Sequence, residues 1–268
     1  MVLAAVGTPA LVLGCLAALV LVAPLKIIGA VAVAGLIGIG GTVRDRRNRP
    51  QAQPVAPHEE PELHAIVDRL CVIADLPKPE IVVEPETQPN SWLVGLSRGR
   101  ARLHVTRGLL DLLTPVELEA VVGHELAHLV NRDALVMTAV GSPGAVLLRG
   151  GRRMMGGWVI IGGLVASGIG WLSSLGTQVL SRHRELAADA GSAALTGRPA
   201  SLASALRRVS GQLRLVPDED LRVAAYRDAF HLLPVGDRGT HPPLAKRIER
   251  LERMEQRLHA ARLAAPKR

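Results

Sequence analysis

At 268 residues the chain is long enough for one soluble domain plus membrane segments, and 48% of it is hydrophobic. Its formal net charge of +8 would suit nucleic acid, but an aromatic content of 2% leaves few platforms on which bases could stack, so the excess reads as charge facing an anionic membrane surface. Two cysteines, Cys15 and Cys71, exclude a disulfide framework and provide no cluster to compete for a metal.

Val2–Leu25 and Ile27–Val43 carry no charge, and Lys26 stands between them next to Pro24. One helix over both runs would far exceed the roughly 20 residues that cross a bilayer. A transmembrane hairpin over 1–49, turning near Pro24, is therefore expected. A cleaved signal sequence is the rival, and the lack of a basic residue ahead of the apolar run counts against it. Glycines in the second run suit close packing against a neighbouring helix. Arg44, Arg46, Arg47 and Arg49 follow at once, and a basic cluster at the end of a span marks the cytoplasmic side.

Residues 50–61, with four prolines (Pro50, Pro54, Pro57, Pro61), read as a linker, and Glu62–Ala74 has helical spacing of Leu63, Ile66, Val67, Leu70 and Ile73. Three strand-like runs come next: Ile81–Glu84, Ser91–Val94 and Ala101–Val105. They predict a small antiparallel sheet. Such a sheet can offer an edge on which an extended peptide lies. A purely structural sheet fits the same pattern equally well.

Thr114, Pro115 and Glu117 form a helix start, with Thr114 as N-cap, Pro115 at the first position and Glu117 three residues after the cap. An apolar run then leads into His124-Glu125-Leu126-Ala127-His128. Residues four apart share a helical face, so His124 and His128 can present two imidazoles to one ion, and Glu125 can take a proton from water beside it. Two core histidines flanking a chance glutamate would be the plain alternative, but the capped, unbroken helix argues for the metal. Residues 62–133 thus form the first half of a metallopeptidase domain.

Two more uncharged runs, Ala134–Leu148 and Met154–Ser181, are separated by Arg149, Arg152 and Arg153. If Glu185 is to meet the two histidines, the chain crosses a bilayer an even number of times between them. A second membrane hairpin over 134–181 is expected, although the three arginines would then oppose the positive-inside tendency. Apolar segments lying in the interface are the alternative. Residues 182–268 complete the domain.

Catalytic zinc takes three protein ligands and keeps one position for water. Glu185 and Asp189 lie four apart, which suits Glu185 as the third ligand and Asp189 as the group holding the free ring nitrogen of a liganding histidine. His183 competes, but two residues away it points elsewhere on the helix. His241, ahead of Pro242 and Pro243, is by itself an ordinary loop histidine opening a last amphipathic helix.

Taken together, His124–His128 with Asn131-Arg132-Asp133, then Ser181–Glu185 with Asp189, then Thr240–Pro243 with Arg247-Ile248, closely resemble the HtpX-type membrane metallopeptidases, relatives of the CAAX prenyl proteases. Asn90–Gly95 resembles that family's substrate-edge motif, usually Asn-Ala-Phe-Ala, with departures at Ser91 and Trp92, and Leu186 stands where an aromatic is common. The resemblance runs from about Pro77 to Leu251. It implies an α+β, mainly helical, gluzincin-like domain with a small antiparallel sheet plus transmembrane helices. It implies one Zn2+ per chain and a multi-pass inner-membrane endopeptidase with a cytoplasmic active site. Polypeptides, chiefly membrane proteins, would be its substrates in quality control, with the lipid bilayer as surroundings and no nucleic acid partner.

By the same resemblance His241 contacts the oxyanion, Arg247 supports it, and Asn90, Ser91 and Trp92 hold substrate through the backbone. Two other functions stay open at this point: CAAX-type processing of lipidated peptides, and a membrane scaffold with structural zinc. The oligomeric state is not set by the sequence.

Overall fold

The computed structural model describes Gly14 and residues 53–95, 97–153, 160–213 and 242–264. The hairpin expected over 1–49 and the residue His241 lie outside these. The chain divides into two compact units, one of Met1–Gln51 with Leu135–Ser181, the other of Ala52–Ala134 with Arg182–Arg268.

The second unit opens with α1 (Pro61–Ala74), whose Leu63, Ile66, Val67 and Leu70 form its buried stripe. Pro61 starts the helix without losing a bond, because the first N–H groups have no helical partner. Asp75, left-handed at φ 49, stops it and returns its N–H to Cys71 and Val72.

Strands β1 (Glu80–Glu84), β2 (Ser91–Val94) and β3 (Arg102–Thr106) form one sheet in the order β1-β3-β2. The sheet is mixed, which corrects the antiparallel expectation: β3 runs parallel to β1 and antiparallel to β2. The chain leaves β1, passes over the place of the middle strand to lay down β2 at the far edge, and returns through a 3-10 turn (Arg98–Arg100) to fill the gap. Alternating apolar residues record which face is buried but not strand direction. The outer edge of β1 takes a bond from the Val55 N–H to the Ile81 carbonyl at 2.9 Å. Among the described residues no strand pairs with the outer edge of β2.

A short α2 (Arg107–Leu112), capped by the Thr106 hydroxyl, leads to α3 (Pro115–Val130). Helix α3 is buried on nearly every side, as expected of a helix apolar almost all round. Its Leu118, Val121, Val122 and Leu126 share one core with Leu63, Val67 and Leu70 of α1, with Leu103 and Val105 of the sheet, and with Leu202, Leu206 and Val209 of α6 (Pro199–Leu213). Arg247 and Leu251, four apart on α7 (Leu244–Ala264), are that helix's buried residues.

Helix α4 (Asp133–Arg153) follows α3 in the chain, and helix α5 (Ile160–Thr196) precedes α6. Within the first unit they approach closely: a Cβ on Gly170 would fall 2.5 Å from the Leu148 nitrogen, and one on Gly144 would fall 2.4 Å from the Ser173 hydroxyl. Among the described residues no helix is long and apolar enough to cross a membrane, which corrects the transmembrane part of the expected fold class there. Both helices have the length, but Arg149 and Arg152 on α4 and Ser167, Ser173, Ser174, Thr177 and Gln178 on α5 dilute the apolar runs.

Candidate active site

Helix α3 supplies the first ligands. Its start is a full capping box: Thr114 Oγ1 accepts from the Glu117 N–H and Glu117 Oε2 accepts from the Thr114 N–H at 2.9 Å. Glu117 is also held by the Ser204 hydroxyl at 2.6 Å and by Arg208. Burial pushes its carboxyl up, but hydrogen bonds from Ser204 and Thr114 and the Arg208 charge outweigh this and leave it below the usual carboxylate range.

The C-terminal part of α5 fits against α3 because small residues let the backbones meet. A Cβ on Gly191 would lie 2.6 Å from Ala127 Cβ, and one on Gly123 would lie 3.3 Å from both Ser192 Oγ and Thr196 Cγ2. Ser192 then donates to the Ala120 carbonyl at 2.6 Å. This approach carries Glu185 and Asp189, one turn apart, to the histidines.

His124, His128 and Glu185 have ligand atoms that all lie within 4.8 Å of one another and could hold a metal ion. The two Nε2 atoms are 3.2 Å apart, and Glu185 places an oxygen 3.7 Å from each. Nitrogens at 2.0–2.1 Å from a tetrahedral ion stand about 3.3 Å apart. Both Nδ1 atoms face carboxylates: Asp189 Oδ1 is 3.1 Å from His124 Nδ1, and Asp133 Oδ2 is 2.6 Å from His128 Nδ1. A ring that donates from Nδ1 keeps the Nε2 lone pair for a cation, which the bond between His128 and Asp133 favours, while Asp189 stands at ion-pair distance from His124 Nδ1. The surroundings also suit a cation. Glu125, Glu185, Asp189 and Asp133 are buried carboxylates, with the guanidinium groups of Arg247 and Arg184 among them, which leaves negative charge in excess. The donor set fits a divalent metal.

Arg247 is 1% exposed and grips Asp189 with two bonds, Nε to Oδ2 at 2.9 Å and Nη2 to Oδ1 at 2.7 Å, while its Nη1 lies 3.4 Å from Glu185 Oε2. Burial pushes the Asp189 carboxyl up, but the Arg247 charge and the bonds from His124 and Arg247 hold it at about 2. Burial would lower the Arg247 pKa; Asp189, helped by Glu185 and Glu125, raises it instead. Asp133 pairs with Arg184, whose Nη2 also donates to the Asn131 carbonyl at 2.8 Å. The turn that places Asp133 depends on Arg132, left-handed at φ 54, between the end of α3 and the start of α4.

Glu125, 4% exposed, accepts a hydrogen bond from the Ser91 hydroxyl of β2 at 2.9 Å. Asn90 is tied to Thr106, its N–H reaching the hydroxyl at 2.9 Å. Trp92 lies on the other face of β2 from Ser91 and stacks on His104 with ring centroids 5.0 Å apart. His183 is exposed, away from the cluster.

Asp133 and Arg184 have no role foreseen in the sequence, and neither does the link from Ser91 to Glu125. The available signal for Asp133 is an aspartate five residues after His128, just past the helix end. Nothing in the order of residues marks Ser91 as a partner of Glu125, since 34 positions separate them.

The Peptidase family M48 model matches residues 57–255. Protease HtpX homolog 2 of Methanosarcina mazei is 40% identical over 226 residues, 77% of this chain and 77% of that protein. Protease HtpX homolog of Moorella thermoacetica is 41% identical over 232 residues, 79% of this chain and 78% of that one. Protease HtpX homolog 1 of Streptomyces coelicolor is 39% identical over 224 residues, 76% of this chain and 74% of that one. The solved structure of S. mikatae Ste24p aligns over 75% of this chain and 51% of that one, with a TM-score of 0.47 and 19% identity, too loose a likeness to carry an argument. The family match spans both halves of the site, from the histidine helix α3 to Arg247 on α7, and the chain belongs to peptidase family M48.

Proposed function

We propose that the chain is a membrane-anchored zinc endopeptidase that hydrolyses polypeptides, with Glu125 as general base. The observation that carries the reading is the pair of imidazoles whose Nδ1 atoms are held by Asp189 and Asp133 while both Nε2 atoms converge with Glu185. Zn2+, one per chain, would be held by His124, His128 and Glu185 and would supply Lewis acidity at the scissile carbonyl and at the attacking water.

The chain's own residues do the rest. Glu125 accepts the proton of the attacking water and returns it to the leaving amine. The Ser91 hydroxyl fixes one oxygen of that carboxylate and leaves the other for the water. Arg247 is a positioning residue in this reading, since it touches Asp189 and Glu185 rather than an open cleft. His241, carried over from the family resemblance, stabilises the developing oxyanion. Substrate lies extended along the outer edge of β2, within the Asn90–Trp92 stretch that the resemblance singles out, and is held through the outward backbone groups of Ser91 and Leu93. Pairing with β3 alternates along an antiparallel ladder, and the Thr106 N–H bonds to the Asn90 carbonyl, so the backbone groups of Ser91 and Leu93 are directed to that outer edge.

The names of the relatives support a proteolytic role, and the basic, apolar N-terminal sequence supports an inner-membrane location with the active centre on the cytoplasmic side. Membrane-protein quality control is the proposed task. Stripping the purified chain with a chelator and adding back Zn2+ tests the reading. Cleavage of casein should vanish and return, and cleavage that persists in metal-free protein would contradict it.

A further inference from the structure

We propose that Trp92 sets a substrate preference of this peptidase, favouring a large aromatic side chain at the one substrate position that shares its face of the sheet. The proposal rests on the reading of β2 as the strand along which substrate lies. Trp92 and His104 are direct partners in the β2–β3 register, and their rings are nearly parallel, 8° apart with centroids 5.0 Å from each other. His104 is fixed in turn, its Nδ1 lying 2.8 Å from Glu84 Oε1 on β1. Three strands therefore contribute to one stack, with the indole laid on the imidazole and the Glu84 carboxylate holding the imidazole from β1. Val82, the β1 partner of His104, is buried in the same row.

The two faces of β2 have different tasks. Ser91 points to the face of Glu125, and Trp92, half-buried, points to the opposite one. A strand added to a sheet edge puts each side chain on the same face as the residue beside it, with Cβ atoms about 4.5–5.5 Å apart. Of two consecutive substrate residues, one then shares the Ser91 face and the next shares the Trp92 face. The indole is already oriented by its stack, so a substrate ring packing against it immobilises little more of the protein. An acidic substrate side chain would meet the Glu84 carboxylate behind His104 and is disfavoured. A basic one finds that carboxylate already engaged.

The test uses the full chain with Zn2+ in detergent micelles. Cleavage sites in an unfolded protein digest are mapped by mass spectrometry for wild type, Trp92→Ala and Trp92→Phe. The wild type should show aromatic residues enriched at one position close to the cut. Trp92→Ala should lower that enrichment roughly tenfold relative to sites without the aromatic, and Trp92→Phe should keep it. Where Trp92→Ala does not fold, Trp92→Leu supplies an apolar side chain without a ring and carries the same contrast. Binding gives a second readout: a Phe peptide should bind Glu125→Gln more tightly than its Ala counterpart, and the difference should vanish in Glu125→Gln/Trp92→Ala. An unchanged preference in Trp92→Ala, or a uniform loss at every site with zinc content intact, overturns the proposal and leaves the peptidase reading standing. Digestion by Glu125→Gln at the wild-type rate overturns both.

Discussion

The Asp133 carboxylate lies 2.6 Å from His128 Nδ1, although the two residues belong to successive helices joined by a left-handed turn at Arg132. Asp133 thereby fixes the ring that faces the cluster. Asp133→Asn keeps the shape of the side chain and removes its charge. Zinc affinity, measured by competition with a chromophoric chelator, should fall roughly 10- to 100-fold while the fold is kept. An unchanged affinity would remove Asp133 from the site.

The pair Arg247–Asp189 is buried and joined by two hydrogen bonds. Removing one partner strands the other charge in the interior. Arg247→Met should therefore cost about 3–5 kcal/mol in denaturant unfolding. Arg247→Lys should recover part of the loss only, because a lysine ammonium cannot reproduce the paired Nε and Nη2 bonds. Full recovery by lysine would contradict the role given to this geometry.

Gly191 faces Ala127 with no room for a methyl group. Gly191→Ala would push α5 away from α3 and with it Glu185 and Asp189. A loss of about 1–3 kcal/mol in stability is expected from overpacking, together with weaker zinc binding. Equal stability in the variant would mean that the two helices slide apart at no cost.

Glu117 gives the acid limb of stability a defined sign. Its carboxyl is held below the usual value in the folded chain, so its contribution is present above the unfolded-state pKa and fades as pH falls through the folded one. The stability gap between wild type and Glu117→Gln should be constant from neutral pH down to about 5 and shrink below about 4. A gap that widens on acidification would reverse the assignment.

Local signals made much of this legible. Thr114, Pro115 and Glu117 announced the start of α3, because a capping box depends on neighbours three residues apart. The spacing of His124, His128, Glu185 and Asp189 placed them in pairs on helical faces, and the structure brings both pairs together. What stayed hidden depends on distant parts of the chain. The direction of β3 relative to β1 follows from the route of the connection, which alternation does not encode. Arg247 was expected near an oxyanion, and only packing of α7 against the end of α5 shows it gripping Asp189. The even number of crossings required between the histidines and Glu185 suggested a hairpin over 134–181, whereas among the described residues no helix is long and apolar enough to cross a membrane.

The central claim is that Glu125 acts as base beside a metal held by His124, His128 and Glu185. It is tested most directly by zinc content and casein cleavage of the detergent-purified chain, wild type beside Glu125→Gln. The account predicts one zinc in each protein and a fall in turnover of roughly 100- to 10,000-fold in the variant. Equal cleavage by both proteins would contradict it.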